Sequence, residues 1–219
     1  MSQTYDLVVF DWDGTLMDST GHIVQSLQQA CRDLDLPVPD YAQASHVIGL
    51  RLADALRQAC PAVDEARLPA LTAAFRQHYL ANHDQVLFFD GALACLDAVK
   101  ARGAFVAVAT GNSRAGLNRL LAASGLDDFF DATRTVDECH SKPNPDMLLQ
   151  IADALGVELK RALMIGDTSH DLQMAQNAGC HGLGVGFGAH PASHLENFGP
   201  QAIVHSYDEL SSWLLPKLS

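Results

Sequence analysis

The sequence predicts an α/β protein, a parallel sheet covered by helices on both sides and interrupted after its first strand by an inserted block of helices. Three observations lead there. The short runs of strand-favouring residues are apolar throughout, without the polar alternation of a half-exposed strand, as expected of strands buried on both faces. From Phe88 onward such runs alternate regularly with helix-like stretches, the pattern of crossover units in a parallel sheet. Between the first strand and that alternation lie about seventy residues of helical periodicity with no convincing strand. The expected division is a core of residues 1–17 and 85–219, with residues 18–84 as the insert.

The first strand, Val8-Val9-Phe10, stops at Asp11, with Asp13 one residue beyond and Gly14-Thr15 next. Two carboxylates that close repel unless a proton or a cation separates them. In the insert, Ile23, Leu27, Ala30, Cys31 and Leu34 recur at helical spacing and end before Pro37 and Pro39. A second helix is expected from Arg51 to the Cys60-Pro61 break. A third runs over 65–80 with Leu68, Leu71, Phe75 and Tyr79 on one face, its regular part starting late because of Pro69.

Beyond the insert, 92–102 reads as helix and 105–109 as strand, ending at Thr110-Gly111-Asn112. A helix over 115–123 stops at Gly125, a weaker strand covers 131–136, and a helix over 145–155 has proline in its first turn. A clear strand at 162–165 leads to a helix over 172–178 that ends at Gly179. Strands at 181–185 and 202–204 and a closing helix over 207–218 complete the chain.

At 219 residues the chain has room for one sizeable domain with an insert. Its net charge of -12 argues against a nucleic-acid or anionic-membrane surface and leaves carboxylates available to a cation. No apolar run approaches the roughly 18 residues needed to cross a bilayer, and residues 1–5 show no signal segment, so a cytoplasmic protein is expected. The five cysteines form no Cys-x-x-Cys pair and read as reduced, buried thiols. A monomer or a homodimer is expected.

Ligands of an open parallel sheet bind outside the carboxyl ends of its strands. The first strand end offers Asp11 and Asp13, and the second offers Thr110 with Gly111 and Asn112, a turn whose N–H groups suit an anion. The third is followed by Lys142 in Ser-Lys-Pro-Asn-Pro, and the fourth ends in Gly166-Asp167-Thr168-Ser169-His170-Asp171. Carboxylates, hydroxyl, ammonium and carboxylates thus follow one another in order along a single sheet edge.

This ordered set resembles the four motifs of the haloacid dehalogenase-like (HAD) hydrolase superfamily, and the resemblance spans essentially the whole chain. It implies a Rossmann-like core, and the helical insert directly after the first motif is that of the subclass with an α-helical cap. The segments Phe-Asp-Trp-Asp-Gly-Thr-Leu-Met-Asp-Ser and Val-Ile-Gly-Leu-Arg look most like phosphoglycolate phosphatase-like members.

The resemblance implies that Asp11 attacks a phosphoryl group and that Asp13 protonates the leaving group. Lys142 and Thr110 would support the transferring oxygens, aided by Gly111 and Asn112. Mg²⁺ is the implied cofactor, held by Asp11, Asp13 and Asp167, with Asp171 acting through water or by positioning Lys142. The substrate would be a small phosphorylated metabolite, selected in the cap by His46, Arg51 and Arg57. Asp13 favours phosphoryl transfer over dehalogenation, because a halide leaving group needs no proton. A sugar phosphomutase, a pyrophosphatase and a non-catalytic phosphate-binding protein are the competing readings. His190 and His194 lie four apart, but Pro191 between them argues for a loop-to-helix transition and against a zinc pair. His170 lies inside the fourth motif and faces the cap, the substrate or solvent.

Overall fold

The computed structural model of the chain describes residues 4–81 and 86–218. Six parallel strands form one sheet: β1 (Leu7–Phe10), β2 (Phe105–Thr110), β3 (Ala132–Thr135), β4 (Ala162–Gly166), β5 (His181–Val185) and β6 (Ile203–Val204). Their spatial order is β3-β2-β1-β4-β5-β6, with Phe10 paired to Val108 on one side and to Ile165 on the other. The order reverses next to β1, so the connections that leave β1 and β4 part to opposite faces and open a crevice where a ligand can enter.

Successive side chains of a strand point to opposite faces. Val8 and Phe10 therefore join Val106, Val108, Leu163 and Ile165 in one core layer, against α5 (Ala92–Ala101), α6 (Arg114–Ser124) and α10 (Tyr207–Leu214). Leu7 and Val9 join Ala107, Ala109 and Met164 in the other, against α7 (Asp146–Leu155) and α8 (Ser169–Ala178). This double burial is why β1, β2 and β4 carry no polar alternation.

Among the described residues, four helices lie between β1 and α5: α1 (Thr20–Asp33), α2 (Tyr41–His46), α3 (Leu52–Ala59) and α4 (Leu68–Ala81). They share an apolar core of their own, built on Val24, Leu27, Leu56, Leu71 and Phe75, which also takes in Ala189. The chain leaves for this block and returns from it side by side, Asp18 N–H donating to the Leu87 carbonyl (2.9 Å) and Phe89 N–H to that of Leu16 (2.9 Å). The expected boundary at 84/85 lies outside the described residues. All five cysteines are free and buried, and Cys31 and Cys60 meet inside the block with sulfurs 3.5 Å apart. No described helix is long and apolar enough to cross a membrane.

Several elements depart from the sequence expectation, the short helix α9 (Ala192–Leu195) beyond Pro191 among them. Helix α2 lies between Pro39 and Gly49, where no helix is expected. Helix α8 begins at Ser169 rather than Leu172, because Thr168 caps it reciprocally with Asp171. The last helix ends at Leu214 and gives way to a 3₁₀ turn over Leu215–Lys217, since Pro216 cannot continue the hydrogen-bond ladder.

Candidate active site

The end of β1 turns sharply into the site. Asp11 N–H still donates to the Ile165 carbonyl (2.9 Å), and three residues on Gly14 N–H donates to that of Met17 (2.8 Å). Gly14 has φ +77°, and a Cβ there would lie 2.2 Å from a carboxylate oxygen of Asp167. Glycine is thus required on both conformational and steric grounds.

Asp11, Lys142, Asp167 and Asp171 are all buried. The Lys142 ammonium lies 2.7 Å from Oδ1 of Asp11 and 2.6 Å from Oδ1 of Asp171. Burial acts to lower the pKa of Lys142, but the charges of Asp11 and Asp171 outweigh it and hold the ammonium above its ordinary range. Asp11 is pushed well above the usual carboxylate range by burial, opposed by Lys142 and reinforced by Asp171 and Asp167. Among the described residues its Oδ2 is buried without a hydrogen-bond partner. Asp167 is raised to about 7, first by burial and then by Asp171.

Oxygen atoms of Asp11, Asp167 and Asp171 all lie within 4.8 Å of one another. Three buried carboxylates facing a single ammonium leave negative charge uncompensated, and an all-oxygen set of this kind fits a hard cation such as Mg²⁺. Asp167 is fixed by Thr15, whose hydroxyl donates to Oδ1 (2.8 Å), and by Ala189 N–H, which donates to Oδ2 (2.7 Å). Both oxygens of Asp171 are engaged, Oδ1 by Lys142 and Oδ2 by the Thr168 hydroxyl (2.6 Å).

Asp13 is half-buried and stands apart from that trio, accepting from the Ser19 hydroxyl (2.8 Å) and from the Asn112 side-chain amide (2.6 Å). The same amide donates to the buried Thr110 hydroxyl (3.2 Å), tying the end of β2 to the end of β1. Gly111 lies under the helical block, where a Cβ would stand 2.6 Å from the Gly49 carbonyl oxygen. Tyr79 of α4 comes near this site as well, its phenol raised by burial and by the charge of Asp13.

The residues expected to select a substrate are engaged at the seam between block and core. Arg51 donates through Nη2 to the Val136 carbonyl (2.6 Å), and its N–H donates to the Ser141 hydroxyl (3.0 Å). It lines a cleft of about 450 Å³ with Asp54, Asp137, Glu138 and Asp146. Arg57 pairs with Glu65 (2.7 Å) and Asp54 (3.2 Å) on the surface. The carbonyl of His46 faces Nε2 of both His170 and His190, each at 3.0 Å. Burial lowers the pKa of His170 and brings that of His190 down to about 4.

Sequence reasoning gives no role to Ser19, Thr168, Ala189, His190 or Tyr79. The Thr-x-x-Asp capping pattern at 168–171 is a sequence signal for one of them, Thr168.

A family model described as haloacid dehalogenase-like hydrolase matches residues 8–185. The chain belongs to this family. Within the haloacid dehalogenase-like hydrolases, it is 38% identical to the probable phosphatase IndB of Dickeya dadantii, over 93% of this chain and 91% of that one. It is 28% identical to the pyrophosphatase PpaX of Halalkalibacterium halodurans, over 93% and 94% of the two chains. A predicted phosphoglycolate phosphatase from Haemophilus somnus superposes with a TM-score of 0.83 at 25% identity, covering 97% and 99%.

Proposed function

We propose that the chain is a Mg²⁺-dependent phosphatase that hydrolyses a small phosphorylated metabolite through an aspartyl-phosphate on Asp11. The observation that carries this reading is the state of Asp11: it is buried and ion-paired to Lys142 through Oδ1, with Oδ2 lacking a hydrogen-bond donor among the described residues. Asp11, Asp167 and the backbone carbonyl of Asp13 would hold the cation, with Asp171 behind Lys142. When bound, Mg²⁺ supplies countercharge to the phosphate and lowers its repulsion of the nucleophile.

In this reading, Asp11 attacks phosphorus as the ester P–O bond breaks, and Asp13 gives its proton to the leaving alkoxide. Asp13 then takes a proton from the water that attacks the phospho-enzyme, the Asp11–phosphorus bond breaks, and Asp11 and phosphate are released. Lys142 and Thr110 steady the transferring oxygens, and N–H groups of Gly111 and Asn112 orient them. Ser19 and Asn112 hold Asp13 by hydrogen bonds, which keeps it available for proton transfer.

The helical block serves as the cap in this proposal. The close approach of Gly49 to Gly111 supports a small substrate, and the likeness to a predicted phosphoglycolate phosphatase supports 2-phosphoglycolate as the first to try. The likeness to a named pyrophosphatase favours pyrophosphate as the second reading. Five free thiols are in keeping with a cytoplasmic setting.

Phosphate release from 2-phosphoglycolate, pyrophosphate and hexose phosphates, measured with and without Mg²⁺, tests the proposal. Mg²⁺-dependent release from one of the esters supports it, and release confined to pyrophosphate moves the assignment to the second reading. Isomerised phosphosugar with little free phosphate would replace it with a mutase. Tight metabolite binding without turnover would replace it with a binding protein.

A further inference from the structure

Four imidazoles gather where the helical block meets the core: His46 from α2, His170 from α8, and His190 and His194 on either side of Pro191. The rings of His46 and His190 stack at 4.7 Å, and those of His190 and His194 meet edge to face at 5.3 Å. Nitrogens of His46, His190 and His194 come within 4.8 Å of one another, as metal ligands would.

The hydrogen bonds of His190 point elsewhere. Ser169 N–H donates to its Nδ1 (3.0 Å), and an N–H cannot accept, so the proton of the neutral ring must sit on Nε2. That Nε2–H faces the His46 carbonyl at 3.0 Å. Both ring nitrogens are therefore engaged, one by the first residue of α8 and the other by the last residue of α2. The backbone of the same segment encloses Asp167, with Ala189 N–H on its Oδ2 (2.7 Å) and His190 N–H on its carbonyl (3.3 Å).

We propose that His190 is a positioning residue that couples seating of the helical block, through the His46 carbonyl, to the loop and helix start that hold Asp167 and Asp171. The coupling rests on the cap and metal-site reading above. When the block is seated, the ring bridges it to Ser169, and the bridge aligns the Asp167 loop. When the block lifts, Nε2–H loses its acceptor and the loop is held from one side only.

Three variants of the full chain separate the two ends of the bridge. His190→Asn places an oxygen near the Nδ1 position and keeps an acceptor for Ser169, but is too short to reach His46. His190→Gln reaches the His46 carbonyl with its amide and lacks the Nδ1 acceptor. His190→Ala loses both. Mg²⁺ affinity by calorimetry and backbone amide exchange at 46–50 and 168–172 need no substrate; kcat and KM are read on the best ester found.

The Gln variant is expected to weaken Mg²⁺ binding about tenfold, the range for partners lying behind a metal ligand, and to leave exchange at 46–50 slow. The Asn variant is expected to keep Mg²⁺ affinity within about twofold, speed exchange at 46–50 and raise KM about tenfold, the equivalent of one hydrogen bond. Identical behaviour of the Asn and Gln variants would overturn the coupling, as would an Ala variant unchanged in both Mg²⁺ affinity and exchange. Stoichiometric Zn²⁺ uptake by the wild-type protein, abolished in His46→Ala, would also overturn it by showing that the ring nitrogens are free to ligate. Absence of turnover on every ester would sink the phosphatase reading while the calorimetric and exchange results still decide the coupling.

Discussion

Lys142 is enclosed by the carboxylates of Asp11 and Asp171, at 2.7 Å and 2.6 Å. Removing one member of such a buried set leaves charge without a partner, which typically costs about 3–5 kcal/mol. Lys142→Met is therefore expected to destabilise the protein by that order in a urea titration with chelator present. It is also expected to lower kcat by about two to three orders of magnitude, the range for loss of one preorganised group facing a developing oxyanion. Asp11→Asn keeps the shape of the side chain and removes the nucleophile, so turnover should fall to background in a phosphate-release assay controlled for deamidation. Arg51 leads to a different expectation from the one its sequence position suggests. Its guanidinium bonds the Val136 carbonyl, so Arg51→Ala should loosen the seam, seen as faster amide exchange around 136–141, before it alters recognition of a substrate carboxylate.

Helix α2 shows how a short element escapes sequence reading. Six residues give less than two turns, and only Ala44 and Ser45 are buried, so no periodic signal develops. Its stability depends on the capping box, in which Asp40 accepts from Gln43 N–H (2.8 Å) and the Gln43 side chain accepts from Asp40 N–H (3.1 Å). Asp40→Ala should cost about 1 kcal/mol in a denaturant titration and raise exchange around His46, the last residue of that helix. The longer elements are legible because 3.6-residue periodicity or unbroken apolar runs persist over enough residues to stand out. The groups at the four strand ends are legible for a related reason, each following a clear strand or, for Lys142, leading into a stiff Pro-rich turn. The seam is not. His46, His170 and His190 are far apart in sequence, and what joins them is a backbone carbonyl, which leaves no residue-type signature. Asp171 is intermediate, since its type marks it as acidic while its partners, Lys142 and Thr168, show only in the folded chain.

At the scale of the whole molecule, two buried titratable groups, His190 and Asp167, oppose each other in acid. Folding moves His190 from 6.5 to about 4, so it contributes stability that is present above 6.5 and lost as pH falls toward 4. Its full effect is up to about 3 kcal/mol, and His190→Asn should flatten the acid limb of thermal stability measured from pH 6.5 to 4. Asp167 runs the other way, raised from 3.8 to about 7, so without Mg²⁺ its contribution is present below 3.8 and lost as pH rises through 7. A cation needs the ionised carboxylate, so stabilisation by Mg²⁺ relative to chelator should grow as pH rises to about 7, read by calorimetry at fixed ion concentration. The paired stems at Leu16–Asp18 and Leu87–Phe89 bear on what the core can carry. Because the exit and return strands already touch, at 2.9 Å from Asp18 N to Leu87 O, whatever lies between them does not have to span a gap. The entropy of closing such a loop grows slowly with its length. The intervening segment can thus be lengthened or exchanged while the strand ends keep their places.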